Sequence, residues 1–166
     1  MQLASVLRLV LLASIWGGSF LFMRLTANSL GPAVLIESRV LAAALFLLLI
    51  SVYLRRQLQF VSHLKHFFII GAFNTALPFL MFAYAAQTLN ASTLAILNST
   101  APLFGAVIAS FWQKERLKLK AGAGLLIGML GVCVLVGQQA LALGEEGLWA
   151  IFACLFAAAM YGFSAN

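Results

Sequence analysis

Residues Ala91–Leu117 read ASTLAILNSTAPLFGAVIASFWQKERL. An apolar run of roughly 20 residues, the span of a hydrocarbon core, ends abruptly in the charged cluster Lys114–Glu115–Arg116, and Asn98 and Pro102 lie within it. Charges halt a hydrophobic helix at the water interface, whereas a proline inside it removes a backbone donor. The stretch therefore predicts a membrane helix with an interruption near its middle, one that both fixes topology and lines a working cavity.

The composition extends this reading to the whole chain. Of 166 residues, 64% are hydrophobic and only 8% are charged, where a soluble domain carries roughly a quarter charged. The apolar residues fall in runs, which predicts six helices: Val6–Leu25, Ala33–Leu54, His66–Thr88, Ser92–Trp112, Ala121–Gln138 and Leu148–Asn166. Between them lie a turn at Asn28, Gly31 and Pro32, a polar loop over Arg55–Lys65, a turn near Asn90, a tight basic loop over Lys114–Lys120, and an acidic loop over Leu141–Gly147. The fold class is an all-α polytopic membrane protein, with the lipid bilayer as its solvent. Arg8 before an apolar run resembles the start of a signal peptide, but the run continues past Trp16 to Met23 without a small-residue cleavage site, so it reads as a first membrane helix.

The formal charge of +6 does not indicate a nucleic-acid partner, because the basic residues sit in short clusters between apolar runs. With the N-terminus inside, the cytoplasmic side holds Arg8, Arg55, Arg56, Lys65, Lys114, Arg116, Lys118 and Lys120, against Arg24 and Arg39 on the other side. That bias predicts a multi-pass protein of the cell (inner) membrane with a cytoplasmic N-terminus. Cys133 and Cys154 lie inside apolar runs and read as buried thiols. His63 and His66 lack a third ligand, and nothing implies a metal or cofactor.

Two helices share a pattern. Pro78 and Pro102 each follow an asparagine by four residues, Asn74 and Asn98. Proline lacks an N–H, so the carbonyl four residues earlier loses its helical partner. An amide thus sits at each freed carbonyl, near the bilayer midplane, where unpaired backbone survives only if buried in protein or facing a wet cavity. The candidate cavity residues are Trp16, Ser19, Asn74, Pro78, Asn98, Thr100 and Pro102, the alternative being that the amides merely satisfy neighbouring backbone. Trp16 lies away from the interface, with Gly17 and Gly18 after it offering a close helix approach or a kink. Tyr84 and Gln87 read as interfacial.

Glu37 and Arg39 are the charges that lie well within an apolar run. At the bilayer centre each would cost about 2.5–3.5 kcal/mol, so they are placed near the outer mouth, with Arg24 expected to pair with Glu37 and Arg39 to face the cavity. In the fifth predicted helix, Gly124, Gly128 and Gly131 have the spacing of a close-packing face. In the sixth, Tyr161, Gly162 and Ser164 echo Trp16, Gly17 and Ser19. A restart after five helices is necessarily upside down, the plan of inverted-repeat transporters.

These features together resemble the EamA-type transporters of the drug/metabolite transporter superfamily. The resemblance rests on Trp16-Gly17-Gly18-Ser19-Phe20, Pro32 with Arg39, Tyr84 to Ser92, Pro102-Leu103, Glu115-Arg116-Leu117, and Gly122, Gly128, Gly131 and Val132. It covers about Leu11–Val136. It implies ten helices as two inverted repeats, so that 6–138 is a first five-helix repeat and 148–166 the first helix of a second, truncated one. It also implies a central cavity built in part from helices 1, 3 and 4. The expected function is a secondary transporter, not an enzyme, exporting a small metabolite such as an amino acid or a related neutral or zwitterionic solute by alternating access. Its partners would be a small-molecule substrate and either a second copy, through dimerisation, or the missing second repeat. The alternatives are a drug exporter like the small multidrug resistance proteins, although their membrane glutamate has no counterpart in Val6–Leu25, and a non-transporting assembly component.

Overall fold

The computed structural model describes residues 3–55, 60–112 and 119–166. Six helices are long and apolar enough to cross a membrane: α1 Leu3–Leu30, α2 Pro32–Tyr53, α3 His63–Ala85, α4 Ala91–Trp112, α5 Leu119–Gly137 and α6 Leu141–Ser164. Among the described residues there is no strand. The chain is an all-α, multi-pass membrane protein. The predicted Lys114–Glu115–Arg116 cluster, with Arg56, Leu117 and Lys118, lies outside the described residues.

Local chemistry accounts for the joints. Gly31 adopts φ 76°, a left-handed conformation that a side chain would strain, and Pro32 opens α2 where a missing N–H costs nothing. Asn90 caps α4 by accepting a hydrogen bond from the Thr93 amide at 2.8 Å. The acidic loop expected at Leu141–Gly147 is instead helical apart from a break at Gly144, whose φ of 63° again suits glycine. Glu145 and Glu146 are exposed in the first turns of α6, where the unsatisfied N–H groups of a helix start favour carboxylates.

The interruptions expected in α3 and α4 take two different forms. Ahead of Pro78, α3 widens into a π-helical turn over Ala72–Ala76, and the Leu77 amide donates to Ala72 five residues back. Inserting a residue into the turn is one way for a helix to accommodate a missing donor. Ahead of Pro102, α4 tightens instead. Its regular helix stops at Asn98 and resumes at Ala101. Between them the Thr100 amide donates to Leu97 at 3.1 Å, three residues back. The Ser99 and Thr100 hydroxyls back-bond to Ile96 and Leu97, both at 2.6 Å. By contrast α1 runs through Gly17 and Gly18 without a break, and neither glycine has a neighbouring atom within 4 Å of where its Cβ would be.

Packing is lopsided along the helices. The apolar core joins Phe20, Met23 and Ala27 of α1 to Leu35 and Ile36 of α2, and Phe82 with Leu89 to Leu94 and Leu97 of α4. Val136 of α5 and Ala150, Cys154 and Ala157 of α6 complete it. Most lie towards the end of the bundle that holds the α1–α2 and α3–α4 turns, and Ala157 reaches past the middle of α6. At the other end the first half of α1, the second half of α2 and the first half of α3 are exposed.

Two packing expectations are corrected. Of Gly124, Gly128 and Gly131, only Gly128 meets a neighbour, the Leu103 side chain 3.5 Å from its Cβ position. The equal spacing does not say which of these positions turns towards α4. The close approach is made instead by Gly162 of α6 against Gly105 of α4, reinforced by Asn166, whose amide donates to the Gly105 and Gly162 carbonyls at 3.1 and 2.8 Å. Cys154 is buried but Cys133 is exposed, because it lies on the outer side of α5.

Candidate functional site

Two adjoining, partly open cavities of about 210 and 550 Å3 lie in the bundle. Trp16, Phe79, Asn98 and Tyr161 line both, so the two form one groove with a shared wall. Around the smaller part stand Ser19, Phe20 and Met23 of α1, Arg39 of α2 and Phe82 of α3. The larger part adds Asn74 and Thr75 of α3 and Ser99 and Pro102 of α4.

The two interrupted helices supply most of the groove's polar groups. Asn74 and Thr75 sit in the π-helical turn of α3. Asn98 and Ser99 stand at the break of α4. Each proline thus frees backbone beside an amide at a place where the wall is open, as irregular backbone inside a bilayer requires. Pro78 itself is buried behind the wall, and Thr100 is fully buried with its hydroxyl returned to Leu97. Neither lines the groove.

The charged residues arrange themselves differently from the expected pairing. Arg24 turns towards the end of α3, where its guanidinium donates to the Ala86 carbonyl at 2.7 Å and the Gln87 carbonyl at 2.5 Å. These carbonyls follow the last turn of α3, where no further helical donors arrive. A fixed, planar cation satisfies them better than water in a packed setting. Glu37 is exposed and lines neither cavity. It stands two positions from Arg39, which puts the two on different sides of α2. Arg39 is half-buried and enters the groove. It donates to the Ser19 hydroxyl at 2.8 Å and sits over the Phe79 ring, 5.4 Å from its centroid.

Aromatic rings complete the lining around Arg39. Phe82 stacks on Tyr161 with centroids 6.2 Å apart, Phe79 meets Tyr161 edge-on at 6.4 Å, and Phe20 meets Phe82 at 5.7 Å. Sequence reasoning did not single out Tyr161, Phe79, Phe20 or Phe82 as lining residues. Tyr161 had a usable signal, since it aligns with Trp16 in the echo between α6 and α1, and the two stand in the same groove. The phenylalanines had none, being ordinary members of apolar runs.

Residues 3–137 match the model of the EamA-like transporter family. The chain belongs to the EamA-like transporter family. Among similar curated proteins is the uncharacterized transporter YoaV of Bacillus subtilis (strain 168). It is 24% identical over 158 residues, covering 95% of this chain and 54% of that protein. The uncharacterized transporter YdfC of the same organism is 24% identical over 152 residues, covering 91% and 50%. Protein PagO of Salmonella typhimurium is 28% identical over 131 residues, covering 78% and 43%. The chain spans about half the length of the curated relatives it matches. No solved structure gives a significant match. For an EamA family chain, the groove is the feature that calls for a functional reading.

Proposed function

We propose that this chain forms half of a secondary transporter of the cell membrane and that the groove is its solute path. The solute is a small metabolite, such as an amino acid or a related neutral or zwitterionic compound, moved by alternating access. In this reading α1–α5 are one repeat and α6 opens a second, inverted one. The observation that carries it is the meeting of Asn74 and Asn98, each at the break of a membrane helix, in one groove walled by Trp16, Phe79 and Tyr161. Polar groups at helix breaks within an apolar bundle are the usual construction of a transporter's midplane site.

The lopsided core supports the same reading. With α1, α2 and α3 packed at one end and exposed at the other, the groove is accessible from one side, while α4 and α6 stay in contact through Gly105 and Gly162. With the N-terminus cytoplasmic, as the distribution of Lys and Arg suggests, the packed end faces outward and the open end inward. Alternating access then needs the packed end to separate, and the Arg24 contacts to the end of α3 are what must break.

The test is solute flux in vesicles with the full-length protein. Asn74→Leu and Asn98→Leu are expected to lower flux about five- to thirtyfold at equal expression, since each removes polar contacts of roughly 1–2 kcal/mol from a desolvated site. Unchanged flux in both would remove the groove from the transport path.

A further inference from the structure

We infer that the groove selects solutes bearing a carboxylate, which docks on Arg39 while the apolar body lies against Trp16, Phe79 and Tyr161. The inference rests on the groove being a solute site, as proposed above, and adds the chemical class it takes.

An arginine remains charged in a protein, so within a membrane span its charge has to be met. Arg39 stands roughly 10 Å into α2 from Pro32, at ~1.5 Å per residue. That is deep enough for the cost of a membrane charge to apply. The contacts present only partly meet it. Among the described residues Arg39 makes one side-chain hydrogen bond, to Ser19, and one ring contact, to Phe79, and it interacts electrostatically with the Tyr161 phenol. A hydroxyl and a ring face are neutral partners. No acidic side chain lines either cavity among the described residues, for Glu37, Glu145 and Glu146 are all exposed elsewhere.

The guanidinium presents five N–H donors in a rigid fork matched to a carboxylate, and the Ser19 bond occupies one. The Ser19 bond and the Phe79 face hold the side chain at the groove wall, which lowers the ordering cost of binding an anion there. Around it the lining is aromatic, with Asn98 as the polar group common to both parts of the groove. A cation in an apolar, aromatic groove, with no counter-carboxylate among the described lining residues, fits an organic anion, or the carboxylate end of a zwitterion. It disfavours an organic cation by like-charge repulsion.

Titration calorimetry on the full chain in detergent, using three probes with the same body, separates these cases: 3-phenylpropionate, 3-phenylpropanol and 3-phenylpropylamine. The carboxylate is expected to bind at least about tenfold more tightly than the alcohol, as a charge-assisted hydrogen-bond pair allows. The amine is expected to bind more weakly than either. Arg39→Gln should bring carboxylate and alcohol to equal affinity, and Arg39→Lys should keep part of the preference, which excludes misfolding as the cause. Equal binding of the three probes, tighter binding of the amine, absence of binding by all three, or a preference that survives Arg39→Gln would overturn the inference. Failure of the transport reading looks different. A carboxylate preference that depends on Arg39, with no flux in vesicles, would remove transport and leave the site. Flux of neutral or cationic solutes that ignores Arg39 would do the reverse.

Discussion

Gly162 of α6 lies so close to Gly105 of α4 that a Cβ built on it would fall 2.6 Å from the Gly105 amide nitrogen. The relationship is not symmetric. A Cβ on Gly105 would stand 3.6 Å from the Gly162 Cα, an ordinary contact. In a bilayer, helices associate through packing because lipid is as apolar as their side chains. This crossing therefore has much to do with how α6 stays on α4. Gly162→Ala is expected to destabilise the chain by about 1–3 kcal/mol, the usual range for overpacking, and Gly105→Ala to change it little. Thermal unfolding of the purified protein compares them directly; equal Tm losses would contradict the asymmetry, and no loss in either would mean that the crossing is looser than described.

Arg24 makes a second such joint. Its two bonds to the Ala86 and Gln87 carbonyls tie α1 to the turn between α3 and α4. Hydrogen bonds to a charged group are worth about 1.5–3 kcal/mol, and the Ala86 residue they reach is fully buried. Arg24→Gln is expected to lose stability in that range, whereas Glu37→Gln, at an exposed position, should stay within about 0.5 kcal/mol of the parent. Denaturant titration in mixed micelles reads both. A Glu37→Gln loss equal to that of Arg24→Gln would restore the ion pair suggested by sequence.

Asn90 offers a smaller and cleaner effect. Its side chain accepts from the Thr93 amide and starts α4. Removing the cap with Asn90→Ala should cost about 1 kcal/mol, and Asn90→Asp or Asn90→Ser should recover most of it. The same unfolding measurement applies, and an alanine variant as stable as the serine one would show that the cap is not what fixes the start of α4.

The two cysteines report on which faces are packed. Cys133 is exposed on α5 and Cys154 is buried in the core. A small apolar maleimide in detergent is expected to modify Cys133 in the folded protein and Cys154 only after denaturation, as mass spectrometry of the intact chain would reveal. Modification of Cys154 at a comparable rate would contradict the packing of α6.

The features legible in the sequence are those whose causes are local. Pro78 and Pro102 remove donors wherever they stand, so the interruptions of α3 and α4 follow from single positions. The form of each does not, since one helix widens and the other tightens although both carry an asparagine four residues before the proline. Apolar runs gave the six spans for the same local reason. Which face of a helix turns inward is a tertiary outcome, and there the sequence is silent. Gly124, Gly128 and Gly131 have the spacing of a packing face, yet only the middle one meets α4. Arg24 bonds two carbonyls at the end of α3 and not the carboxylate expected for it, and Glu37 is exposed. Tyr161 enters the groove through an echo too short to identify it as a lining residue.

The central claim is that Asn98 stands in a solvent-accessible path through an apolar bundle. Cysteine accessibility in membrane vesicles tests it without knowledge of the solute. In a background carrying Cys133→Ser and Cys154→Ala, Asn98→Cys is compared with Leu135→Cys, which is 65% exposed on α5 but faces lipid in this account. A membrane-impermeant, water-soluble maleimide, applied to each side in turn, is expected to label Asn98→Cys from the open side and leave Leu135→Cys unmodified from both. Labelling of Leu135→Cys alone, or of neither, would contradict the groove as a solute path.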